Sequence, residues 1–123
     1  IVSNINSSRS IPIINKNSFC YLAFKLMHEN SINFLLVEND EKKVMGIITE
    51  SSLLEVVSRN SFKETVKNNI TKVKKIDYQF DLKKIVNFIM KEKYLFVNKN
   101  NSFYGVINKT DILWYLKKKE NNA

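Results

Sequence analysis

Ten residues, Met45 to Leu54 (MGIITESSLL), return without a gap 59 positions later as Tyr104 to Leu113 (YGVINKTDIL). Such an echo restricts the chain to folds that can be built twice. The chain has two glycines, Gly46 and Gly105, and they occupy the same place in the two copies. Two β-branched residues follow each glycine (Ile47 and Ile48, Val106 and Ile107), then a polar segment, then an aliphatic pair (Leu53 and Leu54, Ile112 and Leu113). The order reads as a strand running into the N-terminus of a helix. At 123 residues, each half is too short to bury more than a marginal core, so the halves are expected to pack on one another.

The rest of the chain reads as two rounds of one pattern. Ile1 to Asn6 is a polar and aliphatic lead-in and Ser7 to Ser10 a serine-rich connector. Ile11 to Ile14 then reads as a brief strand whose proline, Pro12, suits an edge or a strand start. Ser18 has N-cap chemistry, and Phe19, Leu22, Ala23, Leu26 and Met27 behind it follow helical spacing with one buried face. Phe34 to Val37 reads as a buried strand, Glu38 to Lys43 as a charged turn and Val44 to Ile48 as the returning strand. A second helix opens at Thr49 or Ser51 and runs through Leu53, Leu54 and Val57. Ser61 and Glu64 have capping-box spacing and predict a connecting helix, Phe62 to Asn68.

The second round follows: Val73 to Ile76 as a strand, Asp81 as a cap, and Leu82, Ile85, Val86, Ile89 and Met90 at helical spacing. Leu95 to Val97 is a strand, Lys99 to Ser102 a turn and Phe103 to Ile107 the returning strand. A last helix carries Ile112, Leu113 and Leu116 on its buried side and ends in Lys117, Lys118 and Lys119, where cations suit a helix C-terminus. The predicted class is α+β, with two β-α-β-β-α motifs in tandem packed as a pseudo-two-fold pair. Residues 1–60 hold the first motif, and 61–123 hold the connecting helix and the second.

The tandem order, the helices ending in methionine (Leu26-Met27, Ile89-Met90), the strand ending in valine before a polar turn, and the GIITESSLL and GVINKTDIL stretches together resemble the tandem cystathionine-β-synthase (CBS) domain pair, or Bateman module. The resemblance spans almost the whole chain. One departure is length: the second copy is about three residues shorter between Met90 and Val97 than the first is between Met27 and Val37. The resemblance implies a regulatory module that binds an adenine nucleotide or adenosyl compound in the cleft between its halves. AMP, ADP, ATP and S-adenosylmethionine are the candidate ligands, and no cofactor is required. It also implies a homodimer formed through the helices and control of an attached effector domain, with a bacterial signalling or transcription-regulatory protein as the expected host.

In that family the segment after the glycine strand carries a hydroxyl residue followed three positions later by aspartate. The resemblance implies that the aspartate binds the ribose hydroxyls, while the hydroxyl residue and the helix N-terminus approach phosphate. The chemistry is sound, because a carboxylate offers two oxygens to a vicinal diol and first-turn amides favour anions. The second copy keeps the acid, as Asp111, but has Asn108 in place of the hydroxyl; the first keeps Thr49 but has Ser52 in place of the acid. Lys109 and Thr110 complete the candidate phosphate or cap region. Asn108 and Asp111 also have Ncap and N3 spacing, so Asp111 has a second reading as a helix cap. Ile76 and Ile107, like Ile13 and Ile48 in the first half, are either adenine-flanking residues or ordinary core. Lys74, Lys75 and Lys109 either meet phosphate or are solvated.

Twenty Lys+Arg against 12 Asp+Glu give a net charge of +8. This charge invites a polyanion, yet only Arg9 and Arg59 are arginines, and abundant lysine with asparagine is also the imprint of an A+T-rich genome. No helix-turn-helix, zinc spacing or aromatic RNA-binding motif accompanies the charge, so no direct nucleic-acid contact is expected. No apolar run is long enough for a membrane span and no secretory signal is visible, so no membrane insertion is expected. The single cysteine, Cys20, fits a cytoplasmic setting. His28 has no second ligand at metal spacing, so no metal site is expected. Trp114 and Tyr115 either meet a partner chain or close the edge of the core. Without a Ser-His-Asp, Cys-His, paired-carboxylate or P-loop arrangement, no catalytic residue is assigned and the chain is not expected to be an enzyme. A start at Ile1 without methionine reads as a piece of a longer protein.

Overall fold

Alternation and helical spacing turn into six strands and four helices in a computed structural model, which describes residues 11–59 and 61–121. The lead-in and serine connector expected within residues 1–10 lie outside the described residues. The elements are β1 (Ile13–Asn15), α1 (Cys20–Glu29), β2 (Phe34–Glu38), β3 (Val44–Thr49), α2 (Glu50–Arg59), β4 (Lys74–Asp77), α3 (Leu82–Lys91), β5 (Tyr94–Lys99), β6 (Ser102–Asn108) and α4 (Lys109–Asn121). They form a mixed α+β fold with two three-stranded sheets, ordered β1-β2-β3 and β4-β5-β6. In each sheet the first strand is parallel to the middle one and the last is antiparallel to it.

The registers repeat as well. Val37 lies opposite Gly46 and Val97 opposite Gly105, with a bulge just after each valine. Ile14 and Ile76 occupy equivalent positions, since they pair with Val37 and Val97. Carrying that offset into the helices aligns Ala23 with Ile85 and Met27 with Ile89, all buried. The alignment of Met27 with Met90 read from the sequence is therefore one residue out, and Met90 is 67% exposed. The shortening of the second copy is shared between two places. The helix-to-strand connection loses two residues and the hairpin loses the remainder. In the second hairpin Asn100 and Asn101 both have positive φ (53° and 63°), the signature of a two-residue type I′ turn.

Division into compact units falls after Lys72 and not after residue 60. The physical reason is the connector. Residues 61–72 pack on the first unit: Val66 lies in its core with Ile14, Ala23, Leu35, Ile48 and Leu53, and Ile70 packs against it. The predicted helix over Phe62 to Asn68 is only a 3-10 turn, Val66–Asn69. Ahead of that turn the chain is committed elsewhere, with Thr65 bridged to Phe19 and the Phe62 and Glu64 carbonyls accepting the Tyr21 and Cys20 amides at 3.0 and 2.8 Å. Those two carbonyls satisfy the first amides of α1. The expected cap, Ser18, is not used, and Phe19 at the Ncap position makes no side-chain cap. In α3 the cap is the expected one, Asp81, which accepts from the Lys83 amide at 3.0 Å.

A second unit core joins Ile76, Ile85, Ile89, Leu95, Val97, Ile107 and Ile112. Here α4 is rotated from the predicted orientation: Ile112 is buried and Tyr115 packs on the core, while Leu113 and Leu116 are exposed.

The two glycines have different causes. A Cβ on Gly46 would stand 2.6 Å from both Ile70 Cγ2 and the Thr71 carbonyl oxygen, because Ile47 and Thr71 exchange backbone hydrogen bonds at 3.0 and 2.8 Å. A Cβ on Gly105 would meet nothing within 4 Å among the described residues beyond its chain neighbours. Gly46→Ala is expected to cost about 1–3 kcal/mol, the range for forcing an extra methyl into a packed site. Gly105→Ala should change stability by less than about 0.5 kcal/mol. Urea unfolding of the two variants checks the contrast.

Candidate functional site

Each copy turns from its last strand into its last helix over four residues, and that junction carries the residues singled out in the sequence. In the second unit, β6 ends at Asn108 and α4 begins at Lys109. The Asn108 amide donates to Asp111 Oδ2 at 2.9 Å, and the Asp111 amide donates to Asn108 Oδ1 at 3.0 Å. This reciprocal pair is a capping box, with Asn and Asp in place of the commoner Ser/Thr and Glu. The geometry thus realises the cap reading of Asp111 and fixes one carboxylate oxygen at the positive end of a helix dipole. Both residues are half-buried, whereas Lys109 and Thr110 are exposed.

In the first unit, β3 ends at Thr49 and α2 begins at Glu50. Thr49 Oγ1 accepts from the Ser52 amide and donates to Ser52 Oγ, each at 3.1 Å. Thr49 is therefore the N-cap and Ser52 turns its hydroxyl back onto it. The two junctions are equivalent in backbone and differ in charge, one closed by neutral hydroxyls and the other by an amide and a carboxylate.

Of the four adenine-flanking candidates, Ile48, Ile76 and Ile107 belong to the unit cores and are buried. Ile13 is 47% exposed. Residue pairing explains the difference: Ile14, not Ile13, is the counterpart of Ile76, so Ile13 falls on the other side of its strand. Strand registers do bring Lys74 of β4 to the same end of the sheet as Asn108, since Lys74 pairs with Leu95 and Asn108 with Tyr94. Lys74 Nζ stands 4.1 Å from the centroid of the Phe88 ring.

The sequence reading missed a second cluster. Lys99 Nζ lies 5.2 Å from the Tyr78 ring centroid and 5.6 Å from that of Tyr104. Its signal was cross-strand pairing at the β5-β6 hairpin, which composition does not reveal. Cys20 is fully buried, and burial, with a smaller push from the Glu64 carboxylate, raises its thiol pKa above the ordinary 9.0.

Comparison with known proteins follows the same division. The CBS domain family model matches residues 2–59. The chain carries a CBS domain. Its second unit repeats the strand and helix order of the first, so the chain is a CBS-domain pair. A putative signal-transduction protein with CBS domains from Burkholderia ambifaria MC40-6 has a similar solved structure, with a TM-score of 0.79 at 24% identity over 98% of this chain and 95% of that one. A CBS domain-containing protein from Bacillus anthracis gives 0.82 at 14% identity, covering 96% and 93%. The CBS domain of a bacterial CNNM/CorC family Mg2+ transporter gives 0.79 at 14% identity, covering 94% and 73%. Among sequences, a Methanocaldococcus jannaschii protein is 34% identical over 50 residues, which is 41% of this chain and 17% of that protein. CBS domains of this kind are mostly regulatory modules. No helix among the described residues is long and apolar enough to cross a membrane.

Two outcomes follow from the junctions and from Cys20. Asp111→Ala is expected to destabilise the protein by about 0.5–2 kcal/mol, the usual loss on removing a capping side chain; urea unfolding measures it. The Cys20 thiol is expected to react with a disulfide reagent at least about 100-fold more slowly in the native protein than in the unfolded one, because the reactive thiolate is disfavoured by burial.

Proposed function

We propose that the chain is a ligand-sensing regulatory module that takes an adenine nucleotide or adenosyl compound at the Asn108–Asp111 junction and transmits its binding to an effector domain of a longer protein. The observation that carries this reading is the Asn108–Asp111 pair, which holds a carboxylate in fixed geometry at the head of α4. A ribose diol needs such a group, and the first-turn amides of α4 suit an adjacent phosphate. The site is single. Thr49 and Ser52 close on one another with neutral hydroxyls and supply no acid.

The segment shared with the M. jannaschii protein covers 17% of that protein's length, which accords with a module serving a larger host. A bacterial signalling or transcription-regulatory protein in the cytoplasm is the proposed host. Two copies of the chain are proposed to pair through their helices, because Phe24, Leu54, Val86, Leu113 and Trp114 are large apolar side chains on the outer faces of all four helices, each at least 40% exposed.

The second reading is a docking or dimerisation module with no nucleotide site. Its specific support is that the Asn108–Asp111 pair already satisfies a capping role. Titration separates the two. AMP, ADP, ATP and S-adenosylmethionine are each added to the purified chain while the melting temperature is followed. At ligand near 100 times the dissociation constant, linkage adds about 2.7 kcal/mol of stability. One of the four is expected to raise the melting temperature by several degrees, and Asp111→Ala to weaken that binding by about 1.5–3 kcal/mol, as for hydrogen bonds to a charged group. No shift with any of the four sinks the nucleotide reading. Binding that survives Asp111→Ala unchanged leaves Asp111 as a cap alone.

A further inference from the structure

The helices of the two units differ sharply in charge. Helices α3 and α4 carry seven lysines against Asp111 and Glu120, a net of +5, whereas α1 and α2 carry Lys25 and Arg59 against Glu29, Glu50 and Glu55, a net of −1. A genome-wide bias toward lysine codons acts on both halves alike and does not account for the difference. Ile85 and Ile89 of α3 and Ile112 of α4 enter one core with Leu95, Val97 and Ile107. The two helices therefore cover the same side of their sheet and turn their opposite faces outward together.

That outer layer mixes lysine with large apolar side chains. Thr110, Leu113, Trp114 and Lys117 follow one another at three- and four-residue steps along α4, and Lys83, Val86, Asn87 and Met90 lie on one side of α3, all exposed. Met90, Leu113 and Trp114 are each at least 65% exposed. Lys117 Nζ lies 5.3 Å from the centroid of the Trp114 ring. We propose that this face seats the second unit on an anionic lipid surface, the lysine heads among the headgroups and Met90, Leu113 and Trp114 at the edge of the acyl region.

Charge and apolar surface together select this occupant. A phosphate backbone satisfies lysines but offers an apolar stripe no partner, because its contacts are hydrogen bonds and ion pairs to phosphate and sugar. Protein interfaces bury apolar groups but are depleted in lysine. An anionic bilayer takes both at once: ammonium groups meet charged headgroups, lysine stems lie along apolar ground, and an indole sits at the boundary between water and hydrocarbon. Seven lysines spread over two helices also suit an extended surface better than a point anion. Because Leu113 and Trp114 belong to the surface proposed for pairing, seating on lipid and pairing through α4 exclude one another. The lipid contact does not rest on pairing or on the nucleotide reading.

Cosedimentation of the whole chain, at about 1 µM, with vesicles of phosphatidylcholine alone or with about 30% phosphatidylglycerol tests the contact. The chain is expected to sediment with the anionic vesicles and not with the neutral ones, and to be released as NaCl is raised from about 50 to 500 mM. Trp114 is the one tryptophan of the chain, so its emission should shift to the blue on the anionic vesicles. Lys83→Gln, Lys84→Gln, Lys117→Gln and Lys118→Gln together are expected to weaken partition by about 100-fold or more, and Trp114→Ala by about tenfold. Lys25→Gln with Arg59→Gln, on the first unit, should change it by less than about threefold. Circular dichroism establishes that every variant is folded. No sedimentation with either vesicle, equal partition to both, or binding with Trp114 emission unmoved each overturns the lipid contact. So does a DNA duplex of about 20 base pairs that binds more tightly than the anionic vesicles and depends on the same lysines, which gives the face to nucleic acid. Pairing is read separately, by sedimentation equilibrium without vesicles, so a monomeric chain that binds anionic vesicles overturns pairing and upholds the lipid contact.

Discussion

The first unit depends on one close approach, the backbone of Thr71 lying along β3 where Gly46 has no side chain. Once Thr71 is paired there, the residues before it have no freedom to form the helix that their capping-box spacing invites. They run beside α1 instead, and their carbonyls take the Cys20 and Tyr21 amides. A helix N-terminus leaves several amides without intrahelical partners, and here a passing backbone supplies what a Ser or Asp side chain supplies elsewhere. The same passage drops Val66 into the core and moves the boundary between the units to Lys72.

The two units then show how one backbone plan is completed by different chemistry. Phe19 and Asp81 hold the same Ncap position; Asp81 caps with its own carboxylate, while Phe19 cannot and leaves the task to the connector. Thr49 and Asn108 hold the same position before the last helix, one closed by a hydroxyl pair and the other by a reciprocal amide and carboxylate pair. Gly46 is required by a neighbour, whereas a Cβ on Gly105 would meet none among the described residues. Equivalent sequence positions thus have equivalent geometry without having equivalent causes.

What was legible in the sequence is what local physics decides. The repeat gave the order of strands and helices, short apolar runs gave the middle strands and β-branched pairs the last ones, and Asp81, Thr49 and the Asn108–Asp111 spacing gave three caps that are present. What was not legible is decided by chain segments far apart. Ser18 is a good cap by composition, but its helix is capped by Phe62 and Glu64, more than forty positions away. Leu113 and Leu116 read as core because apolar spacing marks a stripe without saying which edge of it faces the sheet, and Tyr115 took their place. Matching Met27 to Met90 failed because two deletions separate the copies, and only strand register locates them. For the site, spacing identified the junction residues, but the side of the strand taken by Ile13 followed from pairing alone.

Unequal junctions carry a consequence for regulation. A module with two equal sites responds to ligand through both units, whereas a chain with a carboxylate at one junction receives any ribose-dependent binding energy through α4 alone. Such energy reaches an effector only as far as the ligand discriminates between two arrangements of the protein. The outer face of α4 bears Leu113, Trp114 and Lys117, and the inner end of the same helix bears Asp111. A ligand that orders the first turn of α4 would therefore act on a helix whose far side carries part of the apolar surface proposed for pairing. By linkage, occupancy and association then strengthen or weaken each other by the same factor. Asp111 at the head of α4 and the exposed Trp114 and Lys117 belong to one helix, so a change at the junction is carried directly to that outer face.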